Sequence, residues 1–559
     1  MKIKNAGEFL IIGIFIFIIL VPGVCIGADL RQSALQAMQT ELIRSKNELR
    51  YQDFEKPYFI AYRVDADRRY SLRAKHGSLL RSYFWPTRSI YVEVRVGDYK
   101  LDSSRGSEDF WDRSWFSTLF PLDDDTAAIR HILWLLTDKG YKKALISYAK
   151  KKGERASEMK EEIDDLWPEP PHEFIDPPKE LKFDMKFWSE RLKRISNLFS
   201  KYPAILDSEV SLTFDDFYTI VVNSEGTKVV TEGSRAFFSL SCSGLAKDGM
   251  PLDLQRTIVE ETPEKFPGES TMKNLVEEVG GKMEMLVNAE VCNPYIGPAI
   301  FDPESAGVLF HEAIGHRLEG EGQREEIEGQ TFKGKIGERI IPDFLTIIDD
   351  PLQKEFNGKF LNGYYKFDDE GVPGEKVALV ENGVLKNYLL SRAPVKGFAR
   401  SNGHGRGSEG FKPAGRMSNL FIKSSKEYEL NKLKEMLIEE CRKQNKPYGL
   451  IIKKMKSGDT QTKKGGYQAF RTTPQEVWLV SVEDGSETLV RGVEMVGTPL
   501  ITVNKILATG KDYEATNSFC GGRSGWIPVS SISPSILVEQ VELQRTEEKK
   551  ERPPLLPAP

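Results

Sequence analysis

The chain has 559 residues, 78 basic and 83 acidic side chains for a formal net charge of −5, and 40% hydrophobic residues. That length exceeds what one hydrophobic core usually spans, so two or more domains are expected. The near balance of charge and the lack of a long basic block exclude a nucleic-acid footprint, so no nucleic-acid partner is expected.

In chain order, Lys2 and Lys4 precede an apolar run from Phe9 to Val21, then Pro22, Gly23 and a small-residue exit at Gly27 and Ala28. Residues 1–28 therefore read as a signal peptide, with an uncleaved membrane anchor as the alternative. Either way the chain is expected to be exported, to the periplasm or outside the cell. Four cysteines remain after such a leader: Cys242, Cys292, Cys441 and Cys520. They are scattered and form no CxxC pair, so they make no disulfide framework, and the first three read as small buried apolar residues.

Leu30, Ala34, Leu35, Met38 and Leu42 recur at helical spacing and predict an amphipathic helix over 30–49. The runs PYFIAYRV, RSIYVEVRVGDYKLDS and EVSLTFDDFYTIVVNSEGTKVVTEGSRAFFSLSCSG are rich in β-branched and aromatic residues and predict strands. Between them, Thr126 to about Lys151 reads as one or two helices. Residues 163–180 hold five prolines and form an excursion or linker. Met272–Leu286 is another expected helix. Asp302, Pro303 and Glu304 are N-cap, first-turn proline and dipole-favoured acid for a helix running through AGVLFHEAIGHRLEG. Asn382-Gly383 is the turn pair of a two-residue hairpin. In GTPLITVNKILATG, Thr498 caps a short helix, Pro499 starts it and Gly510 ends it. Strands and helices alternate without a βαβ rhythm, so the fold class is α+β rather than a doubly wound parallel sheet. The charged, proline-rich 546–559 has little to bury and is expected to be disordered.

Residues 311–316 read HEAIGH. Two histidines four apart share a helical face, but five residues at about 100° each separate His311 and His316 by about 140°. Both reach one metal only if the helix widens locally, and Gly315 is where such a distortion is easiest. Zinc catalysis needs about three protein ligands, an open position for water and a nearby carboxylate, for which Glu312 is placed. The third ligand is open on spacing: Glu319, Glu321, His404 and Cys520 are the candidates. Cys520 is favoured, because a thiolate binds zinc strongly and the glycines after it let the backbone approach. Glu319, three residues past His316, can instead orient a histidine from behind. His404 and Arg406 in GHGRG, and Arg523 beside the cysteine, are candidates for stabilising an oxyanion or gripping a substrate carboxylate. His76, His131 and His172 read as ordinary, His131 as a core-edge histidine.

The segments PYIGPAIFDPESAGVLFHEAIGHRLEGEGQ, FDDEGVPGEKVALVENGVLKNYLLSR, SNGHGRG, RMSNL and SFCGGRSGWIPVS, in that order, resemble the TldD/PmbA family of peptidases. The similarity is densest from about Pro294 to Leu543. The resemblance implies zinc held by His311, His316 and Cys520, with Glu312 as general base. It implies hydrolysis of unfolded or short peptides, and a homodimer or a heterodimer with a paralogue enclosing the site. On this basis 29–288 is an N-terminal α+β domain and 289–545 a largely antiparallel metallopeptidase domain carrying the zinc-binding helix. The contrasting expectation is a non-catalytic protein, stabilised by zinc, that binds peptides or modulates a partner subunit.

Overall fold

The structure is a computed structural model that describes residues 30–104, 115–157, 163–179, 182–324, 330–455, 459–460, 470–546 and 549–556. Residues 1–28, read above as a leader or anchor, and part of the 546–559 tail lie outside the described residues. Among the described residues no helix is long and apolar enough to cross a membrane.

The N-terminal half is built on a seven-stranded sheet. Its strands are β1 (Pro57–Lys75), β2 (Ser78–Val96), β3 (Trp115–Leu119), β4 (Glu173–Ile175), β5 (Ile205–Asn223), β6 (Lys228–Leu245) and β7 (Pro251–Glu260). They run in the order β3-β2-β1-β5-β6-β4, with β7 also on β6. β1 and β2 are joined through His76 and Gly77, whose φ values of 45° and 77° suit a two-residue hairpin turn.

Even-numbered side chains of β1, β2 and β5, such as Tyr62, Val64, Leu72, Ile90, Val92, Leu212 and Ile220, are buried under four helices. The helices α1 (Leu30–Glu48) and α2 (Thr126–Ser157) cover one end of the long strands. The other end is covered by α3 (Met185–Ser196) and α4 (Glu269–Asn288). The odd-numbered residues, among them Arg63, Asp65, Arg69 and Asp215, and Phe237 of β6, turn to the opposite face, part of which meets the C-terminal half. There Arg63 donates to the carbonyls of Ser408 and Phe411, and the Phe237 and Phe519 rings sit 5.5 Å apart. This two-sided use of period-2 strands is why the sequence alternates so clearly there.

The stretch from Thr126 forms one long helix. His131 is not at a core edge: it is exposed on α2, its ring 5.2 Å from that of Trp134. The proline-rich 163–179 is not a bare linker. It contributes β4, parallel to β6, buries Leu166, and presents the Trp167 carbonyl to Arg392 of the C-terminal half at 2.7 Å.

The C-terminal half combines an eleven-stranded sheet with a six-stranded one. Between them lies α5 (Pro303–Ala313), burying Ala306, Leu309, Phe310 and Ala313 in a core drawn from residues 292–543. Its start follows the sequence rule, since the Asp302 carboxylate accepts from the Ser305 N–H at 2.9 Å and Pro303 occupies the first turn. The short α6 (Gly320–Arg324) follows the motif, and α7 (Leu430–Lys443) packs on the outer face of the larger sheet. Asn382 and Gly383, at φ 47° and 78°, make the expected hairpin between Val377–Glu381 and Val384–Leu385. The last helix, α8 (Pro499–Asn504), begins at the expected place, but Thr498 makes no side-chain cap bond. It also stops earlier than expected: Ile506–Gly510 is a strand of the large sheet, paired with Ile536–Arg545. Gly510 therefore ends a strand, not a helix.

Candidate metal centre

The motif segment does not widen into one continuous helix. α5 ends at Ala313; Ile314, at φ −116° and ψ −51°, leads into a tight 3-10 turn over Gly315–Leu318. The physical reason lies at Gly315, where a Cβ would stand 2.0 Å from the sulfur of Met417. Only a glycine lets the turn settle on that side chain. The carbonyls freed where the helix stops are taken up by Arg317, whose Nη1 donates to Glu312 O at 2.6 Å and Ala313 O at 3.1 Å. Burial pushes the Arg317 guanidinium down to about 10, against the pull of the neighbouring Glu312 charge.

This break brings the rings of His311 and His316 to 4.9 Å, nearly perpendicular. Cys520 arrives from the other side on a hairpin of Glu514–Gly522 and Gly525–Ser533. Its sulfur lies 3.1 Å from His311 Nε2 and 3.4 Å from His316 Nε2. All three donor atoms fall within 4.8 Å of one another. A tetrahedral zinc with Zn–N of 2.0–2.1 Å and Zn–S of 2.3 Å places its donors about 3.3–3.6 Å apart, so this donor set fits that ion. The Glu312 carboxylate stands beside it, 4.0 Å from His316 Nε2.

Behind the donors runs a buried polar relay. His316 Nδ1 faces Glu319 Oε1 at 3.2 Å, the carboxylate partner that fixes tautomer and ring orientation in metal-bound histidines. Glu319 Oε1 also accepts from Arg416 Nε at 3.0 Å. Burial opposes ionisation of Glu319, yet Arg416 and His316 outweigh it and hold the carboxyl down to about 2. Burial likewise opposes the Cys520 thiolate, and the two imidazoles reverse that, keeping the thiol well below its ordinary range.

The other residues singled out from sequence fall elsewhere. The Glu321 carboxylate accepts from the Gly415 N–H at 2.6 Å and from the Ser391 hydroxyl, so it turns away from the donors. His404 is fully buried, with Nε2 3.1 Å from Asp349 Oδ1 and Nδ1 3.0 Å from Asn402 O. It is neither the third donor nor a residue a substrate can reach. Arg406 is buried with its guanidinium 4.8 Å over the Tyr365 ring and Nη1 donating to Met417 O at 2.5 Å, so it locks its own loop rather than reaching a substrate carboxylate. Arg523 is half-buried and its charge acts on Glu319.

Arg416 is the member that spacing does not reveal. It is fully buried beside the cysteine, and its sequence signal is its place at the head of the RMSNL segment, next to Met417, which packs against Gly315 of the motif.

Two histidines and a cysteine converging beside a glutamate form the kind of side-chain group that metallohydrolases use to hold zinc. Residues 295–545 match the PmbA/TldA metallopeptidase C-terminal domain. A metalloprotease of Methanocaldococcus jannaschii is 31% identical over 327 residues, 57% of this chain and 66% of that protein. A protein of Saccharolobus solfataricus named zinc metalloprotease TldD homolog is 26% identical over 368 residues, 63% of this chain and 74% of its own. A metalloprotease of Archaeoglobus fulgidus, 34% identical, is matched over 51% of its length, so the chain spans between about half and three quarters of these relatives. Among solved structures, TldE of Thermococcus kodakarensis superposes with a TM-score of 0.61 at 16% identity, over 91% of this chain and 99% of that one. A putative modulator of DNA gyrase from Thermotoga maritima gives 0.63 at 17%, over 91% and 99%. The C-terminal half of the chain, residues 295–545, belongs to the TldD/PmbA family of metallopeptidases.

Proposed function

We propose that this protein is an exported, zinc-dependent metallopeptidase that hydrolyses unfolded or short peptides. One observation carries the reading: His311, His316 and Cys520 converge, and Glu312 stands next to them. Among the described residues no fourth metal-binding side chain joins that group, and three protein ligands is the count of catalytic rather than structural zinc sites. Zinc, when bound there, supplies Lewis acidity towards the substrate carbonyl and lowers the pKa of water.

The chain's own residues supply the rest. Glu312 takes the proton of the attacking water and delivers it to the leaving amine. Glu319 holds His316 in the tautomer that leaves Nε2 free to ligate. Arg317 closes the carbonyls of Glu312 and Ala313, which fixes the backbone from which Glu312 projects. The strand bearing Cys520 is the edge of its sheet, an arrangement that suits pairing with an extended peptide.

As partner we infer a second copy of the chain or a family paralogue, enclosing the site so that folded proteins are excluded. Export rests on the Lys2–Ala28 leader pattern alone.

The test is hydrolysis of an unstructured peptide mixture by residues 29–559, natural chain against Glu312→Gln at equal zinc content. Cleavage by the natural chain only is the expected result. No cleavage by either, with zinc held by both, would turn the reading to a peptide-binding protein or to half of a two-chain enzyme.

A further inference from the structure

Arg416 is a side chain with all five of its N–H donors aimed at specific acceptors, and one of those acceptors is the sulfur of Cys520. Nε bonds Glu319 Oε1 at 3.0 Å, Nη1 bonds Ser524 Oγ at 3.0 Å and Gly525 O at 3.4 Å, and Nη2 bonds Cys520 O at 3.1 Å and Cys520 Sγ at 3.1 Å. The guanidinium is wholly shielded from water, where a charge-assisted bond to sulfur is strongest.

The local sequence is shaped around it. A Cβ on Gly522 would stand 2.7 Å from the guanidinium carbon and both its terminal nitrogens, so the second glycine of CGGR is a seat for Arg416. One guanidinium thus ties together the two independent routes to the metal centre. It reaches the histidine route through Glu319 and His316, and the hairpin route through Cys520, Ser524 and Gly525.

We propose that Arg416 is a positioning residue that draws negative charge from the Cys520 thiolate and so preserves the Lewis acidity of the metal it ligates. The inference rests on the metallopeptidase reading of the site and adds to it the control of ligand strength. A thiolate transfers more charge to zinc than an imidazole does, which by itself weakens polarisation of a carbonyl. An N–H directed at the sulfur competes for the same lone-pair density. It also fixes where the sulfur points, as outer-shell partners of metal ligands do.

The test replaces zinc with Co2+, whose thiolate-to-metal charge-transfer band in the near ultraviolet reports the electron richness of the sulfur. Two variants are compared with the natural chain, Arg416→Met and Gly522→Ala. The first strands the buried Glu319 carboxylate without its arginine; the second keeps both charges and only pushes the guanidinium off its seat, so it is read even where the first does not fold. In each, the band is expected to move to longer wavelength with one Co2+ still bound. Turnover by the zinc form should fall roughly 10–100-fold in kcat with KM little changed. A cobalt-loaded Gly522→Ala protein whose band coincides with that of the natural chain would overturn the proposal. A natural chain that binds Co2+ with no such band would remove the thiolate from the donor set, and with it both the proposal and the site as described.

Discussion

His311 and Cys520 stand 209 residues apart in the chain, and their Nε2 and Sγ atoms meet at 3.1 Å. The helix α5 delivers one and an edge hairpin the other, so the pair exists only in the folded C-terminal half. Replacing the sulfur should therefore cost metal rather than fold. Cys520→Ser is expected to lower zinc affinity by well over the roughly 10–100-fold typical of an outer-shell loss, with the circular dichroism spectrum retained. Metal content after gel filtration checks this, and full zinc occupancy in the serine variant would show that the third donor lies elsewhere.

Gly315→Ala tests why the motif is spaced as it is. The added Cβ would stand 2.0 Å from Met417 Sδ and 3.0 Å from its Cε, inside a fully packed core. Overpacking of this kind costs about 1–3 kcal/mol. Denaturant unfolding should show that loss, and adding Met417→Ala, which clears the thioether, should recover part of it in the double variant. Independent, additive effects would mean that the 3-10 turn is not set by this contact.

Where the sequence was legible, a local rule and the tertiary structure agreed. α1 shows its buried stripe at Ala34, Met38 and Leu42, the N-terminal strands show alternation because only one face carries helices, and Asp302-Pro303 and Asn382-Gly383 act as their types dictate. Where it failed, the deciding partner was distant. The end of α5 is set by Met417, about a hundred residues downstream. Ile506–Gly510 becomes strand because it pairs with Ile536–Arg545, although it continues a helical-looking run. That His311 and His316 should face one point is expected from the motif, and Cys520 from ligand chemistry, and the three side chains do converge. Arg416 opens the RMSNL segment that carries the resemblance, but nothing in its neighbourhood forecasts that its guanidinium will be buried against a cysteine 104 residues later. His404 and Arg406 misled for the reverse reason: the glycine-rich segment around them suggests an exposed loop, yet it folds onto Asp349, Tyr365 and Met417.

His404 gives a direct check on that correction. Asp349, itself fully buried, accepts from His404 Nε2 at 3.1 Å, from the Ser418 N–H at 3.0 Å and from the Ser418 hydroxyl. Removing the imidazole leaves a buried carboxylate short of one partner, a loss of about 1–3 kcal/mol. His404→Ala should therefore lower the denaturation midpoint while KM for a peptide substrate stays as it was. A raised KM with unchanged stability would restore the substrate-binding role.

The pH dependence of stability should carry the mark of Asp368 and Glu370. Their carboxylates share the space at Gly405, where a Cβ would lie 2.2 Å from Glu370 Oε2 and 3.0 Å from Asp368 Oδ2. Burial, then the Glu321 and Glu93 charges, push Glu370 from its ordinary 4.5 up to about 7 against the opposing Arg392; burial and Glu370 push Asp368 up as well. A folded-state pKa above the unfolded value means that the native state holds the proton more tightly. The stability this contributes is complete below about pH 4.5 and is lost as pH rises through about 7. Glu370→Gln keeps an acceptor for the Arg392 N–H, which Glu370 Oε2 binds at 2.7 Å, and removes the charge. Unfolding free energies between pH 5 and 8 should then fall for the natural chain and fall less steeply for the variant, in which Asp368 still titrates, and parallel slopes in the two proteins would assign the decline to other groups.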